Sequence, residues 1–336
     1  MQEHTSSEPL ISVIMPTYNH SGYIGAAIRS LLAQTYPRFE LIVIDNYSQD
    51  GTADIVRSFR DERIQYFQFR NEGVIAASRN LGIQQSHGKF IAFFDSDDVW
   101  HVRKLEMQLP HFQSSEIIGV ASDLVPVAET LFYRQQKFGK SKAGYIDYRY
   151  QDILNASRFV TSSLVVRRQA LECAGYFDEN KDFCCIEDWE LWLRMARLGT
   201  FRVLADPLVY YRVARREGHG AVTIAQNCLK VLDKQVRLGY VRENEIIESR
   251  AWVYLKIART LLELDQRQSR QYYRKGLGTT SRLRCKIKCI TGILLTFCHA
   301  DLRKAILLIL YRSDWFLLGF TDLLGSMRNL GRQRQV

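Results

Sequence analysis

The sequence predicts an α/β fold, a parallel sheet covered by helices, followed by an α-helical C-terminal region. Three observations predict it. Short apolar runs alternate with amphipathic stretches over the first hundred residues; the run Ile91-Ala-Phe-Phe-Asp-Ser-Asp-Asp98 passes directly from apolar residues into three carboxylates; and beyond about Ala221 only helical periodicity remains. Parallel strands are buried on both faces and so read as continuous apolar runs, and ligands of such sheets bind outside the carboxyl ends of the strands.

Each element follows from its local pattern. Residues 10–15 are a short apolar strand, and 21–34 carry helical periodicity through Ile24, Ala27, Ile28, Leu31 and Leu32. Residues 41–44 are a second strand that stops at Asp45, Ser48-Gln-Asp-Gly-Thr52 is turn chemistry, and a helix then runs to about 60. A strand at 64–69, a helix at 73–85 and a strand at 90–94 complete a β-α-β-α-β-α-β run, the pattern of a parallel sheet with helices on both faces. No G-x-G-x-x-G follows the first strand, which argues against a dinucleotide-dependent dehydrogenase. Further on, 101–112 reads as a helix, 117–125 as a strand, and 126–150 as a loop or hairpin insertion over the site. Then come a strand at 159–166, a short helix at 169–173, an amphipathic helix at 187–198 and short strands within 203–212. Residues 251–277 resemble one tetratricopeptide-type helical hairpin. The expected organisation is a polar tail at 1–9, an α/β domain at 10–220 and a helical region at 221–336.

The 336 residues are 46% apolar and 24% charged, an ordinary globular composition, but the net charge of +10 is unevenly spread. Residues 225–336 hold 21 Lys and Arg against 9 Asp and Glu, whereas the first 224 hold 25 against 27. A basic tail fits nucleic acid or an anionic membrane surface; no zinc-finger spacing or RNA-binding motif supports the first, so no nucleic acid is expected. The apolar runs within 282–336 are well short of the ~20 residues that span a bilayer, and leave membrane-surface contact, packing on the α/β domain, or contact in a homo-oligomer. Seven scattered cysteines without a C-x-x-C pair fit reduced thiols. With no apolar stretch in the first nine residues, the expected location is cytoplasmic, with the cytoplasmic membrane face as the place of any peripheral contact.

Asp95, Asp97 and Asp98 repel one another unless a cation lies between them, and Mg²⁺ or Mn²⁺ with a phosphate co-ligand suits such a cluster. The bland alternative is a solvated acidic loop ahead of the helix that starts near His101. Similar pairs of readings apply elsewhere: Asp188 as a base or a first-turn acid, Arg79 as a ligand group or a solvated charge, Asp178 as a substrate contact or a turn acceptor, Trp189 and Trp192 as sugar platforms or core.

Taken in order, Met15-Pro-Thr-Tyr-Asn19, Asp45-Asn46, the stretch from Asn71 to Gly82, Asp95-Ser-Asp-Asp98, Ala174-Gly-Tyr-Phe-Asp-Glu179 and Glu187-Asp-Trp-Glu-Leu-Trp-Leu-Arg194 closely resemble the family 2 glycosyltransferases, nucleotide-sugar enzymes of the GT-A fold. The resemblance covers roughly residues 10–215 and implies a Rossmann-like nucleotide-binding sheet with a mixed extension. It implies that Thr17, Tyr18, Asp45 and Asn46 line a nucleoside pocket, with Arg79 near the diphosphate or base. Asp97 would hold the divalent metal, with Asp95 at the ribose or metal and Ser96 among the residues that bind the nucleotide donor. Asp188 would be the catalytic base, with Gly175, Tyr176, Asp178, Glu187 and Trp189 around the sugar and acceptor. The expected function is inverting, metal-dependent transfer from a nucleotide-diphospho-sugar, a UDP-sugar first with dTDP or GDP as alternatives, to a hydroxyl of a growing glycan or lipid-linked acceptor of cell-surface polysaccharide, lipopolysaccharide or glycolipid type.

Two departures bear on this. Asn46 stands where many members have a second Asp, and Tyr211-Arg-Val-Ala214 lacks the His that often closes this motif, leaving His219 as a substitute only if the loop shifts. The alternatives are a nucleotidyltransferase, which usually needs a basic Gly-rich loop where this chain has His20-Ser-Gly-Tyr23, and a catalytically degenerate nucleotide-binding scaffold.

Overall fold

The computed structural model describes residues 9–127, 144–155, 158–212 and 218–298. The chain divides into two compact units, the change from one to the other falling between the described residues Arg212 and Gly218.

The first unit is built on a sheet of nine strands among the described residues. β1 (Ile11–Thr17), β2 (Phe39–Asp45), β3 (Ile64–Gln68) and β4 (Phe90–Phe93) are the expected parallel strands, in the spatial order β3-β2-β1-β4. Their connecting helices are α1 (Ile24–Leu32), α2 (Thr52–Ser58) and α3 (Ile75–Gln84). The order reverses between β1 and β4, so the crevice of the switch point opens at the carboxyl ends of these two strands.

Alternating side chains divide the two faces of the sheet. Ile11, Val13 and Met15 of β1, Leu41 and Val43 of β2, and Ala92 join Ile24, Ala27, Ile28 and Leu31 of α1 in one core. On the other face Gly82 of α3 lies against β1: a Cβ there would stand 2.5 Å from Cγ2 of Ile14. Glycine is required because the helix backbone itself packs on the strand.

The mixed extension begins beyond β4. β5 (Val99–Trp100) leads to α4 (Lys104–Gln108), a 3-10 turn at Leu109–Gln113, and the long strand β6 (Ile117–Val127). The helix expected at 101–112 is thus cut short, with Pro110 near the start of the tighter turn. β7 (Tyr145–Tyr148) pairs antiparallel with a later strand, so part of the expected insertion is sheet; residues 128–143 lie outside the described residues. α5 (Tyr150–Asn155) follows. The strand expected at 159–166 is a 3-10 turn at Thr161–Ser163 and only then β8 (Val165–Arg167), because polar residues occupy the middle of the run. α6 (Arg168–Ala174), α7 (Glu187–Met195) and β9 (Thr200–Arg212) complete the unit, β9 being one long strand where short ones were expected. β8 pairs antiparallel with β4 and β6, while β6 and β9 run parallel.

The second unit is helical among its described residues: α8 (Gly218–Arg237), α9 (Ile247–Leu261), α10 (Gln266–Thr279) and α11 (Leu283–Leu295). α9 and α10 form the expected hairpin, and α11 packs on them through Cys285, Cys289 and Leu295 against Ala251, Leu255, Ala258 and Tyr273. No helix among the described residues is long and apolar enough to cross a membrane.

Candidate active site

The parallel register brings the first group of residues together. Thr17 at the end of β1 is opposite Asp45 at the end of β2, and the Asn46 N–H donates to the Thr17 carbonyl at 3.0 Å. Thr17 is buried, and its Oγ1 has no hydrogen-bond partner among the described residues, whereas Tyr18 beside it is 54% exposed. Asp45 is fully buried; its Oδ1 accepts from Ser48 N at 3.0 Å and its Oδ2 from the Tyr66 hydroxyl at 2.5 Å. Both carboxylate oxygens are therefore engaged within the chain. The Asn46 Oδ1 accepts the Asn71 N–H at 3.0 Å and so joins the end of β2 to the loop before α3.

The acidic cluster follows β4. Asp95 and Asp97 are half-buried, and Ser96 is buried with its Oγ 2.7 Å from Nδ1 of His20. Burial, then the Asp95 charge, holds the Asp97 carboxyl above the usual range, against the pull of His20 and Arg212. The same two causes push Asp98 up to about 8, although its Oδ1 accepts the Arg212 N–H at 2.8 Å. The Arg212 Nε also donates to the Asp97 carbonyl at 3.2 Å.

These shifts test the fit of a metal. The half-buried Asp97 carboxyl, its proton affinity raised by burial and by the Asp95 charge beside it, forms with Asp95 a donor pair whose crowding a divalent cation would relieve. Among the described residues no three His, Cys, Asp or Glu groups converge as a ready-made ligand set. The pair fits an ion such as Mg²⁺ that takes few protein oxygens and fills its shell with water and substrate phosphate.

Arg79 joins this cluster to the second acidic motif. Its side chain is buried; Nη1 donates to Glu187 Oε1 at 2.6 Å and Nη2 to Asp95 Oδ1 at 3.2 Å. Burial opposes its charge, but Asp95, Glu187 and Asp188 together raise its proton affinity further. Burial likewise raises Glu187, and Asp188 adds to this while Arg79 opposes it. Arg79 Nε and Glu187 Oε2 have no hydrogen-bond partner among the described residues. Unsatisfied buried polar atoms are uncommon, and several of them here gather around the switch point.

Asp188 lies in the first turn of α7, half-buried, where the helix dipole favours its negative charge. The Thr161 hydroxyl donates to its Oδ2 at 2.7 Å, and the neighbouring Ser162 Oγ accepts from the Asp95 N–H at 3.4 Å. The polar turn that interrupts the expected strand thus touches both acidic groups.

The third group is Gly175, Tyr176 and Asp178. Gly175 ends α6 with φ +85°, and Tyr176 follows at φ +61°. Arg194 from α7 donates to the carbonyls of Ala174 and Tyr176, and Asn80 of α3 donates to the Phe177 carbonyl at 2.9 Å and accepts the Phe177 N–H at 3.0 Å. A cavity of about 120 Å³ runs between the start of α3 and α7, lined by Val74, Asp178, Phe183, Cys184 and Glu187 among others. Trp189 is a correction. It is buried, with its indole N–H donated to the Ile153 carbonyl at 2.8 Å, so it offers no open face to a sugar.

Thr161, Asn80 and Arg212 were missed from the sequence. Asn80 had a signal, its place beside Arg79; Thr161 had none, because a hydroxyl in an apolar run names no partner. Ala214 and the His219 side chain lie outside the described residues.

Residues 12–175 match the family model for glycosyl transferase family 2. An uncharacterised glycosyltransferase of Rickettsia conorii is 41% identical over 64% of this chain and 34% of its own length. A UDP-Glc:alpha-D-GlcNAc-diphosphoundecaprenol beta-1,3-glucosyltransferase, WfgD of Escherichia coli, is 45% identical over 30% of this chain and 40% of its own. The chain therefore spans only a third to two fifths of these two relatives. Among solved structures, a mannosyltransferase from Pyrobaculum calidifontis in complex with GDP-Man and Mn²⁺ has a TM-score of 0.59 at 18% identity, covering 97% of this chain and 88% of that one. TarS of Staphylococcus aureus, in complex with UDP, has a TM-score of 0.53 at 21% identity over 85% of this chain and 89% of its own. These likenesses establish the fold. Sheet topology, ordered motifs and sequence kinship agree: the fold is GT-A, and residues 12–175 match the family 2 glycosyltransferases.

Proposed function

We propose that the protein transfers a sugar, with inversion at the anomeric carbon, from a nucleotide-diphospho-sugar to a hydroxyl of a growing cell-surface glycan. The observation that carries this reading is the bridge made by Arg79 between Asp95, at the donor end of the sheet, and Glu187, next to Asp188. It joins the two acidic motifs that the chemistry needs: one for the leaving diphosphate, one for the incoming hydroxyl.

In this mechanism Thr17 and Tyr18 receive the nucleoside, and Asp97 with Asp95 would hold a divalent metal. When bound, such an ion neutralises charge on the departing diphosphate. Asp188 accepts the proton of the acceptor hydroxyl, held by the Thr161 hydroxyl and by its place on a rigid helix. Attack from the side opposite the leaving group inverts the centre. UDP is the first expectation for the donor, supported by the UDP-glucose named for the Escherichia coli relative, and a lipid-linked diphosphate acceptor is supported by the same name. Such an acceptor would make a peripheral position at the cytoplasmic membrane face useful.

The test is thermal stabilisation by UDP-, dTDP- and GDP-sugars with Mn²⁺, followed by donor turnover. A ligand at 100 times its Kd adds about 2.7 kcal/mol. Stabilisation by one nucleotide series, weakened in Asp97→Asn, together with slow metal-dependent donor hydrolysis, is expected. Binding without any hydrolysis or transfer would favour a scaffold, and no binding would overturn the reading.

A further inference from the structure

The last described helix has two apolar faces. Cys285, Cys289, Gly292 and Leu295 of α11 face inward. A Cβ on Gly292 would stand 2.2 Å from the Tyr273 ring, so this close approach fixes the rotation of the helix. At about 100° per residue, Leu283, Ile290 and Leu294 fall together on the opposite side, and Phe297 continues the stripe in the following turn. They are 71%, 48%, 62% and 65% exposed, among the most exposed large apolar side chains of the described residues. A contiguous exposed stripe of this kind marks an interaction surface.

Charge identifies the partner. Residues 266–298 contain eight Lys and Arg and no Asp or Glu. By the same helical geometry Arg284 and Lys286 flank the stripe, exposed Arg282 stands at its start, and the Arg270 guanidinium lies 3.8 Å from the centre of the Phe297 ring. A second copy joined through this face would bring two basic surfaces together, and the acid beside them, Glu248, is already engaged by Arg282 at 3.8 Å and by Thr280 and Ser281. A nucleic acid would satisfy the charge but give the aliphatic stripe nothing to enter. We propose that this face of α11 is a docking surface for an anionic lipid bilayer, the helix lying in the headgroup plane with Leu283, Ile290, Leu294 and Phe297 inserted and the basic residues among the headgroups. This deepens the peripheral-membrane part of the proposed function, and nucleotide binding by the first unit is a separate property.

The experiment is sedimentation of the full chain with phosphatidylcholine vesicles, with and without phosphatidylglycerol, at low and high salt. Binding is expected only with phosphatidylglycerol, weakened by salt. Leu294→Glu with Phe297→Glu should lower it at least about tenfold, and Arg284→Gln with Lys286→Gln by about fivefold for each charge removed. Nucleotide-dependent thermal stabilisation should be unchanged in both variants. Absence of vesicle binding, equal binding by both variants, or light scattering that shows a dimer dissociated by them would overturn the proposal, without touching the transferase reading. If the apolar variant loses its thermal transition, the Gln pair decides on its own.

Discussion

Arg79 and Glu187 meet across 108 residues of sequence, Nη1 to Oε1 at 2.6 Å, with both side chains nearly removed from solvent. The same guanidinium reaches Asp95, so one cation joins the end of β4 to the start of α7. A buried pair of this kind is costly to assemble, but losing one partner costs more, because the other charge is left uncompensated.

Arg79→Met should therefore destabilise the first unit by about 3–5 kcal/mol, and adding Glu187→Gln should recover part of the loss. Urea unfolding of the single and double variants measures this. An unfolding midpoint like that of the native chain in the single variant would show that the bridge has no structural role.

Asp188→Asn should keep donor binding and lose about 10²–10⁴-fold in kcat, because a base contributes when the acceptor proton moves. Thr161→Val removes the hydroxyl that holds Asp188 and should lower kcat about tenfold with the donor KM unchanged. Glu187 cannot stand in, since successive helical residues point about 100° apart. Steady-state kinetics decide: near-normal kcat in Asp188→Asn, with Glu187→Gln inactive, would move the base by one residue.

Gly82→Ala should cost about 1–3 kcal/mol, because the new methyl meets Cγ2 of Ile14 at 2.5 Å. The cost should shrink when Ile14 is first cut to Ala, which removes the clashing carbon. A thermodynamic double-mutant cycle with no coupling would show that the helix simply shifts.

Lys104 gives the pH dependence. It is fully buried on α4, its Nζ donating to Gln108 Oε1 at 2.7 Å and lying 4.0 Å from the centre of the Trp100 ring, and burial holds its pKa well below the ordinary lysine value. Between that lowered pKa and about 10.4 the unfolded chain binds the extra proton, so stability rises with pH through this window. Relative to Lys104→Met, the native chain should gain stability as pH rises through this window, by up to about 1.4 kcal/mol per pH unit. Parallel stability curves for the two proteins would contradict the shift.

Much of the first unit was legible because of where its strands lie. β1, β2 and β4 are enclosed on both faces, so they read as apolar runs up to the strand ends, apart from Ser12 and Glu40, which bond to each other at 2.6 Å. For the same reason Asp45 and the acidic cluster after Phe94 stand out at the edge of the sheet. β5 was not legible: two residues are a strand only because Val99 and Trp100 pair with Tyr210 and Val209 of β9. Thr161–Ser163 read as strand because neighbouring residues are apolar, and turned instead to present hydroxyls to Asp188 and Asp95.

The sequence by itself determined the order of elements, the carboxylate-rich strand end and the basic, helical character of the last third, since periodicity, strand-end polarity and charge are local properties of the chain. Only the tertiary structure decided which partners those groups have. Arg79 became a buried bridge, Trp189 a core residue bonded to Ile153, and Asn80 and Arg194 the anchors of the 174–177 turn. The physical reason is that hydrogen bonds and ion pairs depend on distance in space. Residues 36 to 108 apart along the chain reach bonding distance only when the sheet's register and the packing of α3 and α7 on it bring them together.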